Sequence, residues 1–243
     1  MLKLTALVVA LSASTLSLAS LAGAASAASL MPTAEGEVNV GFANPLQTGS
    51  SYVATSGFKV TSFVDSSTNT KSRLFVDRAG TANTYGPIAF RSNDIGTAEG
   101  TQQLWFRPVA MKADGITPRV EQGQLEVGTF KIDFDNVMAS LNVRWFDTED
   151  LGTAFKALDV LGNVMSGDIT PGGNNNIVTK QFANVKSLIL DLGQANSPKF
   201  RSTGDGVNFQ LSGVPQSVPE PATLTGLALL VGGALMSRRR LAA

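Results

Sequence analysis

The chain has 243 residues, with 19 Lys and Arg balancing 19 Asp and Glu, and it contains neither Cys nor His. Without Cys there are no disulfides or thiolate metal sites, and without His there is no Ser-His-Asp or Cys-His catalysis, no histidine general base and no place for most zinc sites. No basic patch occurs outside the last residues, so charge gives no reason to expect a nucleic-acid partner.

Met1-Leu2-Lys3 is a positively charged start, Leu4 to Leu18 an apolar run, and Ala25-Ser26-Ala27 an A-x-A site. Signal peptidase accommodates small residues at those positions. Residues 1–27 are therefore predicted to be a signal peptide, cleaved between Ala27 and Ala28, and the chain to be exported. Ala22-Gly23-Ala24 is a second site of the same kind. Residues 28–214 suffice for one domain with a sizeable core. Lys3, Glu220 and Arg238–Arg240 lie in the two ends, so 15 basic and 18 acidic residues remain between them, a net charge near −3.

That middle reads as strands. Glu37–Phe42 alternates polar and apolar, and Phe58–Val64 is β-rich and followed by the turn formers Ser66–Thr70. Arg73–Asp77 and Ile88–Phe90 are short strands. Gln102–Met111 carries Leu104, Trp105 and Phe106 in succession, the pattern of a strand buried on both faces, with Pro108 marking an end or an edge. In Gln124–Val137, Leu125 and Val127 hold one parity and Phe130, Ile132 and Phe134 the other. A β-bulge at Gly128, where the parity changes, would turn both sets to one core. Leu141–Asp147, Phe155–Val160, Val185–Leu192 and Val207–Leu211 follow, and no helix is expected before Leu224. About ten strands at this spacing predict an all-β domain, an antiparallel two-sheet sandwich of jelly-roll-like form.

Few residues suggest chemistry. Asp133 and Asp135 share the outward parity with Lys131 and read as a solvated face. Asp147, Glu149 and Asp150 form a tighter acidic corner that, with Asp205 and backbone carbonyls, would offer hard oxygen ligands to Ca²⁺; no other cofactor is expected. Glycosidase chemistry needs two carboxylates on convergent buried loops, and no such pair stands out, so no catalytic residue is assigned. Tyr85, Trp105 and Trp145 are the candidates for stacking on sugar rings. The two tryptophans sit among apolar neighbours that favour core packing, with Arg107 and Arg144 placed to cover aromatic faces.

Residues 215–243 are a linker and tail. Val218-Pro219-Glu220-Pro221-Ala222-Thr223 cannot lie inside a helix, the run 224–236 is apolar and helix-compatible, and Arg238-Arg239-Arg240 is a basic stop that stays on the cytoplasmic face. At 1.5 Å per residue the apolar helix spans about 20 Å, short of a ~30 Å hydrocarbon core, which favours a transient membrane anchor. This tail resembles the PEP-CTERM sorting signal. The resemblance implies recognition by an exosortase, a membrane-embedded protease or transpeptidase, and delivery to the cell surface or an exopolysaccharide matrix. Leu125-Glu126-Val127-Gly128 is similar to the signature of the LEVG group of such proteins, to which no activity is assigned. The implied function is a non-enzymatic surface or matrix protein of structural or adhesive role. The alternative is a carbohydrate-binding module for the producer's own exopolysaccharide. Signal peptidase and exosortase are the expected processing partners.

Overall fold

From a computed structural model we describe residues 27–78, 81–90, 103–119, 125–148, 152–173, 176–196 and 206–216. All but the last residue of the predicted signal peptide, the motif 218–223, the run 224–236 and the basic stop 238–240 lie outside these residues. Among the described residues there is no helix, and so none long and apolar enough to cross a membrane.

The described residues form twelve strands: β1 (Ala28–Ser29), β2 (Gly36–Val38), β3 (Phe58–Phe63), β4 (Ser72–Arg78), β5 (Asn83–Tyr85), β6 (Ile88–Phe90), β7 (Leu104–Ala110), β8 (Gly128–Phe146), β9 (Ala154–Leu158), β10 (Val164–Asp168), β11 (Ile177–Leu192) and β12 (Asn208–Pro215). Ten of them make one sheet, in the order β10-β9-β11-β8-β12-β7-β4-β2, with β1 against β12 and β3 against β8. Strands β5 and β6 form a separate hairpin.

The sheet folds on itself because β8 and β11 are long and bent. The first half of β8 pairs with β3 on one side and with the end of β11 on the other, which carries β9 and β10 outward. Its second half pairs with β12 and with the start of β11. The register between β8 and β11 shifts between Val185 and Ser187, which face Met138 and Asp133 respectively. Strands that pass from one layer to the next do so through such irregularities. Lys186, at the shift, donates from Nζ to the carbonyls of Phe134 (2.5 Å) and Asp135 (2.9 Å), two residues that have no register partner in β11. The separate strands expected at Gln124–Val137 and Leu141–Asp147 are thus one strand, and the break between them is the bend.

The halves meet across a common core. Phe58 of β3 contacts Phe106 of β7 edge-on at 6.2 Å, Phe106 stacks on Phe209 of β12 at 4.9 Å, and Trp145 of β8 lies 6.2 Å from Phe155 of β9. The molecule is an antiparallel all-β domain consistent with a sandwich.

Strands β4 and β7 are buried on both faces, as the run Leu104–Phe106 implied, because the β5–β6 hairpin covers the face turned away from the core. There Phe75, Val109 and Met111 pack against Ile88 and Phe90 in a second apolar cluster. Pro108 stands within β7, opposite Leu74 of β4. Among the described residues, the ladder between β12 and β7 has the single register pair Phe209–Phe106, so two residues further on β7 is locally an edge, where a missing N–H is tolerated. The expected bulge at Gly128 does not form. Strand β8 begins at that residue, in unshifted register with Leu192. A Cβ on Gly128 would come within 2.7 Å of both the Phe130 ring and Ser72 Cβ, so close packing explains the glycine.

Candidate functional site

Both tryptophans proposed as sugar platforms are inside the protein. Trp105 is 1 % and Trp145 0 % exposed. Trp105 packs edge-on against Phe146 at 5.8 Å, while Trp145 joins the main core. Their strand positions decide this: Trp145 is on the core face of β8, and Trp105 is on the opposite face of β7, where a further apolar contact covers it. Tyr85 also fails as an open platform. Its ring packs on Phe75 at 5.0 Å and Phe90 at 5.8 Å. Burial, with Asp77 and Glu35 nearby, pushes its hydroxyl well above the ordinary tyrosine range. Arg144 does cover an aromatic face, lying 5.2 Å from the Phe146 ring.

Of the acidic corner, only Asp147 is described; Glu149, Asp150 and Asp205 lie outside the described residues. Asp147 is buried and holds a left-handed backbone (φ 58°), with its N–H donating to the Asn176 carbonyl at 2.9 Å. Asn176 Oδ1 then accepts from the Thr148 N–H and its Nδ2 donates to Thr148 Oγ1, both at 2.7 Å. Among the described residues no group of three or more acidic side chains is arranged to hold a metal. Asp133 pairs with Lys131 at 2.7 Å on the half-exposed outward face, as its parity implied, and Asp135 is exposed.

Two buried ion-pair clusters were not read from the sequence. Arg107 donates from Nη1 to Asp77 Oδ2 at 3.0 Å and from Nε to Glu126 Oε1, beneath the Phe90 ring at 4.4 Å. Asn83 of the hairpin reaches in from above, its Nδ2 lying 2.7 Å from Asp77 Oδ1 and 3.0 Å from Glu35 Oε1. Beside it, Arg73 pairs with Glu37 and donates to the carbonyls of Asn44 and Gly115, with the Phe42 ring 4.1 Å from its guanidinium. Burial raises the carboxyls of both Asp77 and Glu37 above their ordinary range, in spite of the arginines. Arg73, Asp77 and Arg107 alternate on the face of β4 and β7 that an uncovered sheet would turn to water. The β5–β6 cap makes Asp77 and Arg107 interior, and Phe42 with the loops at Asn44 and Gly115 does so for Arg73.

Every residue of the Leu125–Gly128 tetrapeptide has a packing or hydrogen-bonding role here. The Leu125 carbonyl accepts from the Ala110 N–H at 2.9 Å, Glu126 holds Arg107, the Val127 carbonyl accepts from Ser72 Oγ at 2.6 Å, and Gly128 admits Phe130. A Glu between two apolar residues at the entry of a core strand was the available signal for a buried carboxylate.

A groove of about 650 Å³ lies where β1 meets β12. Arg78, Arg144, Gln103 and Gln210 line it over an apolar floor of Leu104 and Leu211. No aromatic residue among the described ones lines it.

No protein-family model matches the chain, and no curated protein matches it. Among solved structures it is similar to the carbohydrate-binding module TmCBM61 in complex with β-1,4-galactotriose, at TM-score 0.31 and 12 % identity over 64 % of this chain and 84 % of that one. It is also similar to the enzymatically active domain of bacteriophage CBA120 tailspike protein 4, at TM-score 0.27 and 8 % identity over 65 % of this chain and 18 % of that one. Likenesses this distant carry no argument about ligand or activity.

Proposed function

We propose that this chain is an exported, non-enzymatic protein of the cell surface or extracellular matrix, structural or adhesive in role. Its β-domain, in this reading a jelly-roll-like sandwich, is held briefly at the inner membrane by the tail helix and released by exosortase. The supporting observation is the pairing of Ala28 with Gly213 and Ser29 with Ser212. The first two residues after the predicted signal-peptide cleavage site form a strand against the last strand before the tail. The two run antiparallel, so the start of β1 and the end of β12 lie at the same end of the sheet. A leader and a tail bound for the same membrane suit that geometry.

The test is mass spectrometry of the protein recovered from its producing cells. An N-terminus at Ala28 and a C-terminus near Pro219–Pro221, without Arg238–Arg240, are expected. Recovery with both ends intact would overturn the reading.

A second reading is a carbohydrate-binding module for the exopolysaccharide, and the groove beside β1 favours it. Its polar side chains and two guanidinium groups suit hydroxyl and acid groups of a glycan. Calorimetric titration with the producer's polysaccharide would show saturable binding, and Arg144→Ala would weaken it. Absence of heat at saturating polysaccharide rejects this reading and leaves the first intact.

A further inference from the structure

The ladder between β4 and β7 runs from Arg78–Leu104, beside the groove already described, to Ser72–Ala110. Just beyond that second end lies a pocket of about 250 Å³. Lys71 enters it from the β3–β4 turn together with Asn69 and Thr70. Lys112 enters from the loop after β7 together with Gly115, and the Phe42 ring lines it as well. Asn69 and both lysines are exposed, and Phe42 is half-buried.

The walls are held by hydrogen bonds. In the β3–β4 turn the Asp65 N–H donates to the Thr70 carbonyl at 2.9 Å. In the facing loop the Lys112 N–H donates to the Thr117 carbonyl at 2.8 Å and the Gly115 N–H to the Lys112 carbonyl at 2.9 Å. Arg119 ties the two together, donating from Nη2 to the Thr68 carbonyl at 2.6 Å. Arg73 backs the Phe42 ring at 4.1 Å and donates to the Gly115 carbonyl. A Cβ on Gly115 would stand 3.1 Å from Phe42 Cε1, so glycine leaves the ring uncrowded.

The carboxylates close by are all committed elsewhere. Asp65 accepts from Ser67, Thr68 and Thr129, and Glu37 pairs with Arg73. Asp114 turns both oxygens into its own loop, accepting from the N–H groups of Ile116 and Thr117 and from Thr117 Oγ1. Among the described residues no Asp or Glu lines the pocket, and neither lysine is in an ion pair. Two ammonium groups that share one pocket repel each other, and an anion between them reverses that.

From this we infer that the pocket between the β3–β4 turn and the loop after β7 is a binding site for an acidic sugar, with the sugar carboxylate at Lys71 and Lys112 and a C–H face of its ring against Phe42. Asn69 offers donors and an acceptor to the ring hydroxyls. The pocket is smaller than the roughly 300–1,000 Å³ that encloses a drug-sized ligand, so it takes one ring of a chain. An aromatic ring beside two cations suits a ligand that brings an apolar face and a charge together, and a bare anion would use the lysines alone. The pocket lies at the opposite end of β4 and β7 from the groove beside β1, so it stands or falls apart from both readings above.

The test is calorimetric titration of the full chain with a β-1,4-linked glucuronate tetramer. Saturable binding that weakens with added salt is expected. Cellotetraose, the same backbone with hydroxymethyl groups in place of carboxylates, should bind several-fold more weakly. So should a tetraglutamate peptide, which brings the charge without the sugar ring. Lys71→Gln and Lys112→Gln should each weaken the glucuronate tetramer several-fold. Lys112→Arg should keep most of the affinity, and Lys156→Gln, at an exposed lysine of β9, should leave it unchanged. Both pocket lysines are exposed, so the melting temperature should hold in every variant. No binding of the glucuronate tetramer, equal affinity for cellotetraose or tetraglutamate, or binding indifferent to both lysine changes would each overturn the inference.

Discussion

Arg107 and Asp77 form an ion pair at 3.0 Å on the covered face of β4 and β7, with side chains 8 % and 1 % exposed. Glu126 holds the same guanidinium from the other side. The carboxylates of two distant segments are thereby tied to one arginine, and the Phe90 ring closes the site from above. Such a cluster contributes little over an apolar replacement of the same shape, but removing one partner strands the others.

Arg107→Met leaves two buried carboxylates without their cation. A loss of about 3–5 kcal/mol is expected from denaturant unfolding. A loss under about 1 kcal/mol would mean that water reaches the cluster and the hairpin does not seal it.

Burial holds Asp77 above the ordinary carboxylate range, outweighing the hydrogen bonds and charge that oppose it. A carboxyl raised in the folded state binds its proton before the unfolded chain does, so folding is favoured as pH falls through the raised value toward the ordinary one. That contribution is lost as pH rises through the folded value. Asp77→Asn removes it. The melting temperature of the wild type minus that of the variant is expected to shift in the wild type's favour as pH falls from about 7 toward about 4. The opposite trend would show that Arg107 governs the carboxyl and burial does not.

Phe106 reaches across the core to Phe58 and stacks on Phe209 of the neighbouring strand. Phe106→Ala should cost about 3–5 kcal/mol, the transfer loss plus a cavity between two sheets that cannot collapse together. Ile116→Ala, on an exposed loop, should stay within about 0.5 kcal/mol. Chemical denaturation of both variants separates a core role from a general sensitivity to truncation.

Gly128→Ala places a methyl group 2.7 Å from Phe130 and Ser72. Overpacking of this kind costs about 1–3 kcal/mol. Because Ser72 supplies part of the crowding, Ser72→Gly in the same chain should recover some of the loss, less the bond from its hydroxyl to the Val127 carbonyl. If the double variant is no better than the single one, the Phe130 ring alone sets the limit.

Both tryptophans are sealed from solvent. Their emission should be blue-shifted and resist quenching by iodide in the native state, then become quenchable on unfolding. Polysaccharide should leave the emission unchanged even if it binds in the groove. Iodide quenching comparable to that of free tryptophan would contradict the placement of both rings.

The sequence by itself determined the all-β class and most strand positions, because alternation in Phe58–Phe63, Phe130–Phe134 and Phe209–Leu211 reports which face is buried, and the side-chain period of a strand is local. It missed β10, since Val164-Met165-Ser166-Gly167-Asp168 does not alternate and depends on β9 for its conformation. It divided β8 at the bend, because Asp135 and Asn136 are exposed where the strand passes between layers. Burial of a charged residue was out of reach: Asp77 and Arg107 alternate as surface residues should, and become interior only when the β5–β6 hairpin folds back over them. Tyr85, Trp105 and Trp145 mark the same limit. Local pattern gives the side of the sheet on which a ring stands, and only tertiary packing decides whether another layer covers it.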